Sequence, residues 1–168
     1  MNKLEQLIKS LNFYYVNSNI ENSFEYEKSR GEVELINFNK NISSEEVLIE
    51  LDKQGLIPAN LTELLEFAKN KPKEAFNSDY LVAALGSVAD VGGRRQVPYL
   101  DGWGGERGLR LGWFDGDWDG DCRFAAVRKS LDTKKLDTLD PWVTERLKEI
   151  EKIIEEIKNH STTNNFRY

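Results

Sequence analysis

The residues best suited to do chemistry are concentrated between Val91 and Cys122. This segment holds nine of the twelve glycines and three of the four tryptophans of the chain, and it contains no lysine. Tryptophan supplies a large contact area at low cost in conformational entropy, while Gly and Asp are common in tight turns. The composition therefore predicts a binding surface.

A run of alternating aspartates, Asp115-Gly-Asp-Trp-Asp-Gly-Asp, raises the question of a metal site. Carboxylates at positions 1, 3 and 5 with Gly at position 6 are features of an EF-hand-like calcium loop, with Asp115, Asp117 and Asp119 as ligands. The twelfth position should be a bidentate Glu but is Ala126, and Asp-Gly pairs are also common in hairpin turns. We expect no metal here and keep calcium as an alternative.

Catalytic chemistry has little support from the residue types. Cys122 has no histidine near it in the sequence, and the single His160 falls in a polar C-terminal stretch. Carboxylates in an exposed turn lack the desolvation that separates the pKa values of an acid and a base. We expect neither enzymatic activity nor a cofactor.

Charge and hydropathy restrict the partners. The net charge of −6 and the pI near 5.0 disfavour nucleic acid, because phosphate contacts require clustered Lys and Arg. The sequence contains no run of 18 or more apolar residues, so it predicts no membrane span. The N-terminus lacks the pattern of a signal peptide. We expect a monomer whose ligand is a protein or a surface molecule. The sequence does not determine where the protein is located. Without a visible signal peptide we take the cytoplasm as the default, and display at the cell surface stays an alternative.

Two kinds of pattern predict the elements that position the segment. Leu4 to Phe13 has apolar residues at helical spacing, and Gly31 to Phe38 has the alternation of a strand. Ser43 and Asn60 each precede a Glu by three residues, which is the capping-box pattern of a helix start. Their helices are predicted to end near Gly55 and Lys71.

The pattern changes to that of a sheet from Tyr80 onward. A continuous apolar run, 81–86, predicts a buried central strand, and 96–100, 108–114 and 122–128 predict three further strands in an antiparallel meander. Within 108–114, Leu109, Leu111 and Trp113 should form an apolar face, and the opposite face should be open to a partner. That opposite face consists of Gly108, Arg110 and Gly112.

A long helix is predicted from Asp140-Pro141 onward, with an apolar stripe. The stripe residues are Leu147, Ile150, Ile154 and Ile157. We divide the chain into an N-terminal helix with a polar connection (1–30), a central domain (31–129), a C-terminal helical extension (130–160) and a disordered tail (161–168).

The order strand, helix, helix and meander resembles a C-type lectin fold. Pro58-Ala-Asn-Leu-Thr-Glu-Leu-Leu65 resembles the start of the second helix in its compact prokaryotic branch. The resemblance implies an α+β fold with two helices packed against a small antiparallel β-sheet, and with flanking N- and C-terminal helices outside it. More specifically, residues 31–129 resemble variable proteins of diversity-generating retroelements, of the archaeal and candidate-phylum type. The similar stretches are Gly55 to Pro72, Ala84-Leu-Gly-Ser87, Val97-Pro-Tyr-Leu100 and Arg123-Phe-Ala-Ala-Val-Arg128.

In that family a reverse transcriptase copies a template repeat with errors at adenines, and the copy replaces the variable region of the gene. The resemblance implies a variable region at about 93–122. AAC or AAT codons altered at adenine can give Asn, Asp, Gly, Ser, Tyr, Cys, Arg or Phe, but never Lys, Glu, Gln, Trp or Met. Trp103, Glu106, Trp113 and Trp118 would then be unvaried. About forty residues follow Arg128, unlike many relatives, and their helix could cover a sheet edge or form a docking or oligomer contact.

The resemblance implies a binding protein that displays a hypervariable surface. The alternative is a conventional carbohydrate- or calcium-binding lectin-like domain, in which Trp103 or Trp118 could contact a sugar. For each of these tryptophans, burial at the edge of the core is the competing interpretation. The expected surface comprises Tyr99, Asp101, Gly102, Trp103, Gly104, Gly105, Gly108, Arg110, Phe114, Asp115, Gly116, Asp117, Trp118, Asp119, Gly120, Asp121 and Cys122.

Overall fold

The computed structural model describes residues 1–129 and 141–163. The first range is one mixed α+β unit, and the second is a single helix. No helix in these two ranges is both long enough and apolar enough to cross a membrane.

The sheet of the first unit is larger than predicted and is mixed rather than a small antiparallel meander. Eight strands share it, and two more form a separate short ladder. The eight are β1 (Tyr15–Val16), β2 (Val33–Ile36), β4 (Leu56–Pro58), β5 (Val82–Ala83), β6 (Ala89–Val91), β7 (Arg94–Asp101), β8 (Gly108–Trp113) and β10 (Arg123–Arg128). The short ladder pairs β3 (Ile42–Ser43) with β9 (Asp117–Trp118).

The last strand, β10, explains why the meander prediction is wrong. β7 and β8 do form the expected antiparallel hairpin, and β5 pairs antiparallel with β7. However, β10 pairs parallel with β5 and antiparallel with β2 and β4. The apolar pattern of a strand predicts which of its faces is buried, but it does not specify which strands lie beside it. The sequence pattern therefore could not predict that β10 pairs with β5, β2 and β4.

Helix ends agree closely with their local signals. Asn60 caps α4 (Leu61–Asn70) in a complete capping box with Glu63, as predicted. Ser43 caps α3 (Ser44–Lys53) by accepting a hydrogen bond from the Glu46 N–H. The remaining helices of this unit are α1 (Lys3–Ser10), α2 (Ile20–Ser23) and α5 (Pro72–Ala75).

Both faces of the sheet are covered, each by its own apolar cluster. On one face, Leu4 of α1 and Leu64 of α4 pack with Leu100 and Leu109. On the other, Val47 of α3 packs with Phe124 among a second set of buried residues. The two central helices therefore lie on opposite faces, and the strand residues alternate between two cores.

The C-terminal helix, α6 (Pro141–Thr163), begins where the Pro signal predicted. It continues through the first three residues of the segment predicted to be a tail. The prediction of disorder for 164–168 lies outside the described residues.

Candidate binding surface

The β7–β8 hairpin carries the centre of the predicted surface. Its register places Asp101 opposite Gly108 and Tyr99 opposite Arg110. Arg110 Nε donates to Asp101 Oδ2 at 2.7 Å, and the Arg110 guanidinium lies 4.6 Å from the centre of the Tyr15 ring. Both side chains are partly exposed, so this pair forms a fixed polar wall at the end of the hairpin.

A cavity of about 330 Å³ opens beside this wall. Two parts of the chain line it: the predicted surface, and a loop before β5 that sequence analysis did not single out. The lining residues are Asn77, Ser78, Asp79, Tyr80, Leu81, Tyr99, Asp101, Trp103, Asp119, Asp121 and Cys122. Eleven residues from two separate segments thus converge on one concave site.

The cavity carries negative charge and no lining Lys or Arg. Asp101 is neutralised by Arg110, but Asp79, Asp119 and Asp121 form no ion pair with the residues that the structure describes. The rings of Tyr80, Tyr99 and Trp103, together with Leu81 and Cys122, supply the apolar part of the lining. The arrangement fits a ligand that presents a cation or hydrogen-bond donors to carboxylates and an apolar face to the rings.

Tyr99 and Cys122 both carry a neutral side chain at neutral pH. Burial raises the pKa of the Tyr99 hydroxyl, and the charge of Asp101 adds to the effect. Burial also raises the pKa of the Cys122 thiol, although a backbone hydrogen bond at Asp119 opposes it. Because a thiolate is the reactive form, the geometry gives Cys122 a packing role.

Trp118 does not lie on the surface, contrary to the exposure expected of it. It is 7% exposed and its Nε1 donates to Ser44 Oγ at 2.9 Å. Its ring packs edge-on against Phe124 and Tyr99, at centroid distances of 5.9 and 6.4 Å. The competing interpretation, burial at the core, is therefore correct for Trp118. It is buried because β9 pairs with β3, which leads directly into α3.

Trp103 has the opposite environment. It lies in a short 3-10 helix, Trp103–Gly105, between β7 and β8, and 83% of it is exposed. The Trp103 side chain makes no hydrogen bond or ring contact with the described residues, and it borders the cavity. It is the aromatic residue of the segment best placed to meet a ligand.

The faces of β8 follow the predicted alternation only in part. Leu109 is fully buried, whereas Trp113, assigned to the same apolar face, is 58% exposed and packs against the Arg94 guanidinium. On the other face, a Cβ at Gly112 would lie 3.0 Å from Trp118. The face predicted to be open is therefore partly filled from within by Trp118.

Other members of the predicted surface are also interior. Phe114 and Cys122 are 6% and 5% exposed, and Gly102 and Gly108 are buried. Tyr99, Asp101, Arg110, Gly116 and Gly120 are partly exposed, while Trp103, Gly104, Gly105, Asp115, Asp117, Asp119 and Asp121 are exposed. The accessible surface thus consists of polar and glycine positions together with Trp103 and part of Tyr99, and buried residues lie between them.

The aspartates of the proposed calcium loop point to different partners. Asp115 pairs with Arg95, and Asp117 belongs to β9. Within residues 1–129 and 141–163, no group of three His, Cys, Asp or Glu side chains could hold a metal ion. Asp117 and Trp118 form β9, which pairs with β3, so this stretch is a short strand in place of part of an EF-hand-like loop.

The Asn77–Leu81 loop is the part of the site that sequence analysis missed. Asn77 Oδ1 accepts from the Asp79 N–H at 2.8 Å, which is an Asx turn, and Arg123 lies over the Tyr80 ring. The Asn-Ser-Asp triplet was the available signal, but such turns are common, and their location in space is set by long-range contacts.

Gly102 holds this loop against the hairpin. A Cβ at position 102 would lie 2.3 Å from the Phe76 carbonyl oxygen and 2.9 Å from the Asn77 nitrogen. Only a residue without a Cβ allows the two backbones to approach so closely. The close approach brings the loop beside Trp103 and so creates the cavity.

Gly102→Ala is therefore expected to lower the free energy of unfolding by about 1–3 kcal/mol, the range for overpacking. Gly116→Ala is the matched control, since its nearest neighbour to a new Cβ is 3.8 Å away. Chemical denaturation of both variants measures the difference. Equal stability of the two would contradict the close-approach argument.

Comparison with known proteins adds no assignment: no protein-family model, curated protein or solved structure matches the chain.

Proposed function

We propose that this chain is a ligand-binding protein whose site is the cavity bordered by Trp103 and the surrounding exposed residues of 99–121. The observation that carries the proposal is the convergence of unpaired carboxylates and aromatic rings from two segments on one concave site. Concave sites with an apolar lining and a few placed polar groups are the usual form of ligand sites.

More finely, the chain is a variable protein of a diversity-generating retroelement, displaying this surface on a C-type lectin-like scaffold. The division between buried and exposed positions supports this reading. Trp118, which AAC or AAT codons altered at adenine cannot produce, is a buried anchor. Tyr99, Asp101, Asp119 and Asp121 line the cavity, and each is an outcome that adenine mutation can produce. Diversification could thus change the cavity wall while the anchor stays fixed.

The retroelement proposal is tested in the genome that encodes the chain. A repeat nearly identical to the coding sequence of 93–122, differing only where the repeat has adenine, should lie beside the gene and near a reverse transcriptase gene. Codon 102 should remain glycine among natural copies of the region, because Gly102 has no room for a side chain. Differences scattered over all four template bases would contradict the proposal.

The charge of the site narrows the ligand class to proteins that present Lys or Arg. Ammonium and guanidinium groups pair with carboxylates and also stack on aromatic faces, and the cavity offers both. Random peptides selected on the immobilised full chain are expected to become enriched in Lys and Arg.

A triple variant, Asp79→Ala with Asp119→Ala and Asp121→Ala, tests that site. It should abolish binding of the selected peptides while changing the free energy of unfolding by less than about 1.5 kcal/mol, since exposed substitutions cost little. Glu21→Ala with Glu25→Ala and Glu32→Ala removes the same charge elsewhere on the unit and should leave binding intact. Equal loss with both triple variants would show that only net charge attracts the peptides.

Sugar binding without calcium is the second candidate, favoured by the 83% exposure of Trp103 beside carboxylates. An aromatic ring can pack against a sugar face while carboxylates accept its hydroxyl hydrogens. A glycan array probed with and without a calcium chelator distinguishes the candidates. Chelator-resistant glycan binding that Trp103→Ala abolishes would favour the lectin, and an array without signal would favour the protein ligand.

A further inference from the structure

The exposed apolar stripe of α6 takes no part in the proposed binding site. Leu147, Ile150, Ile154 and Ile157 are 39%, 52%, 48% and 63% exposed. Within this helix of 23 residues the stripe from Leu147 to Ile157 is about 15 Å long and covers three turns. Helices in proteins gain most of their stability from packing an apolar face of this kind against another surface.

We propose that α6 joins copies of this chain into a parallel coiled coil of three or more helices. The spacing of the stripe, three, four and three residues, is that of alternating a and d positions in a heptad. Leu147 and Ile154 take position a, and Ile150 and Ile157 take position d. This inference is independent of the proposed ligand and replaces the monomer expected from the sequence.

The residue types at these positions favour more than two helices. β-Branched residues at d, with Leu or Ile at a, shift parallel coiled coils from dimers to trimers and tetramers. Ile153 occupies the flanking g position and is 54% exposed, which widens the stripe beyond a two-helix seam. A wider apolar face is what a bundle of several helices buries.

Charge complementarity favours a second copy in parallel orientation. Arg146 falls at g and Glu151 at the e position of the following heptad, and both are exposed. In a parallel coiled coil these positions face each other across neighbouring helices, so Arg146 of each copy meets Glu151 of the next.

The unit formed by residues 1–129 offers no matching apolar stripe among its exposed side chains. Its exposed aliphatic residues are Met1, Ile49 and Val88, which belong to three separate parts of the chain. The other exposed large apolar side chains there are aromatic: Tyr14, Tyr15, Tyr26, Trp103 and Trp113. Another copy of α6 is the better match for a continuous stripe of Leu and Ile.

Light scattering and sedimentation of the full chain test the proposal over about a hundredfold range of concentration, because assembly follows mass action. The mass should reach at least three times the 19.4 kDa of one chain. Ile150→Glu with Ile154→Glu should give a monomer, since it places charges in the seam. Lys148→Gln with Lys152→Gln changes the net charge equally outside the seam and should leave the assembly intact.

Circular dichroism and the melting transition of the 1–129 unit check that the stripe variant stays folded. The substituted side chains are half exposed and take no part in either core cluster, so this transition should not move. A wild-type mass that stops at one or two chains would overturn the proposal. So would an assembly that survives the stripe variant, or one that the control also dissociates.

Discussion

Trp118→Ala is expected to lower the free energy of unfolding by about 3–5 kcal/mol, the range for removing a large buried aromatic side chain. Trp103→Ala, in the same glycine-rich segment, should change it by no more than about 0.5 kcal/mol, since exposed substitutions have small effects. The two tryptophans differ in burial, 7% against 83% exposed. Denaturant unfolding followed by circular dichroism measures both variants under the same conditions.

The loss at Trp118 has two physical parts. The ring fills the space between Phe124 and Tyr99, and Nε1 satisfies Ser44 Oγ, which belongs to a residue only 1% exposed. Trp118→Phe keeps much of the ring but leaves Ser44 without its donor, at a cost of about 1–3 kcal/mol. A double-mutant cycle with Ser44→Ala separates the hydrogen bond from the packing.

Similar losses for Trp118→Ala and Trp103→Ala would contradict this division of the segment into an anchor and an exposed surface. Similar losses would also weaken the proposed function, because a variable surface requires a scaffold whose stability does not depend on the exposed residues. The comparison therefore tests the fold and the basis of the functional proposal together.

The second large effect is expected at Glu63, a buried carboxylate in the first turn of α4. Its side chain is fully buried and accepts hydrogen bonds from the backbone N–H of Asn60 at 2.9 Å and of Arg30 at 2.8 Å. The Arg30 guanidinium donates to both carboxylate oxygens. These contacts tie the segment before β2 to the start of α4.

Glu63→Gln should lower the free energy of unfolding by about 2–3 kcal/mol, since it removes the charge that the partly exposed Arg30 pairs with and leaves a fully buried site with one acceptor in place of two. Glu34→Gln is the matched control because Glu34 pairs with Arg128 at an exposed site, where such pairs are worth about 0–1 kcal/mol. Equal losses for the two variants would show that the Glu63 contacts do not stabilise the fold.

The Glu63 contribution should also depend on pH in a defined direction. Burial acts to raise the pKa of Glu63, but hydrogen bonds from the Arg30 side chain and from the backbone N–H groups of Asn60 and Arg30 together lower it below 4.5. A lowered pKa in the folded state means that the contribution is complete above the unfolded pKa near 4.5. It is lost as the pH falls through the folded pKa.

The difference in stability between the wild type and Glu63→Gln should therefore be constant at neutral pH and shrink in acid. Unfolding curves measured from neutral pH down to below the pKa give this profile. A difference that grows in acid would reverse the sign of the pKa shift and contradict the account.

In the part of the chain that the structure describes, local signals predicted the four longer helices but not the short α2 and α5, and they predicted the sheet only in part. The Asn60 and Ser43 caps, the start of α6 at Pro141 and the β7–β8 hairpin are each set by residues close together in the chain. The insertion of β10 between β5 and β2 joins residues far apart, and no local pattern encodes it.

The candidate site shows the same limit. Residues 99–121 stood out because their composition differs from the rest of the chain, and composition is readable without a structure. The Asn77–Leu81 loop did not stand out, because it joins the site only through the close approach of Gly102 to Phe76.

By itself, the sequence determined where the unusual segment lies and which helix ends surround it. These properties follow from single residues and from spacings of three or four residues. Tertiary structure alone decided that Trp118 is an anchor while Trp103 is exposed, although both stand beside Gly and Asp. The physical reason is that burial depends on what packs against a side chain. Trp118 packs against Ser44 at the start of α3, 74 residues away in the chain, whereas Trp103 lies at the solvent-exposed edge of the cavity.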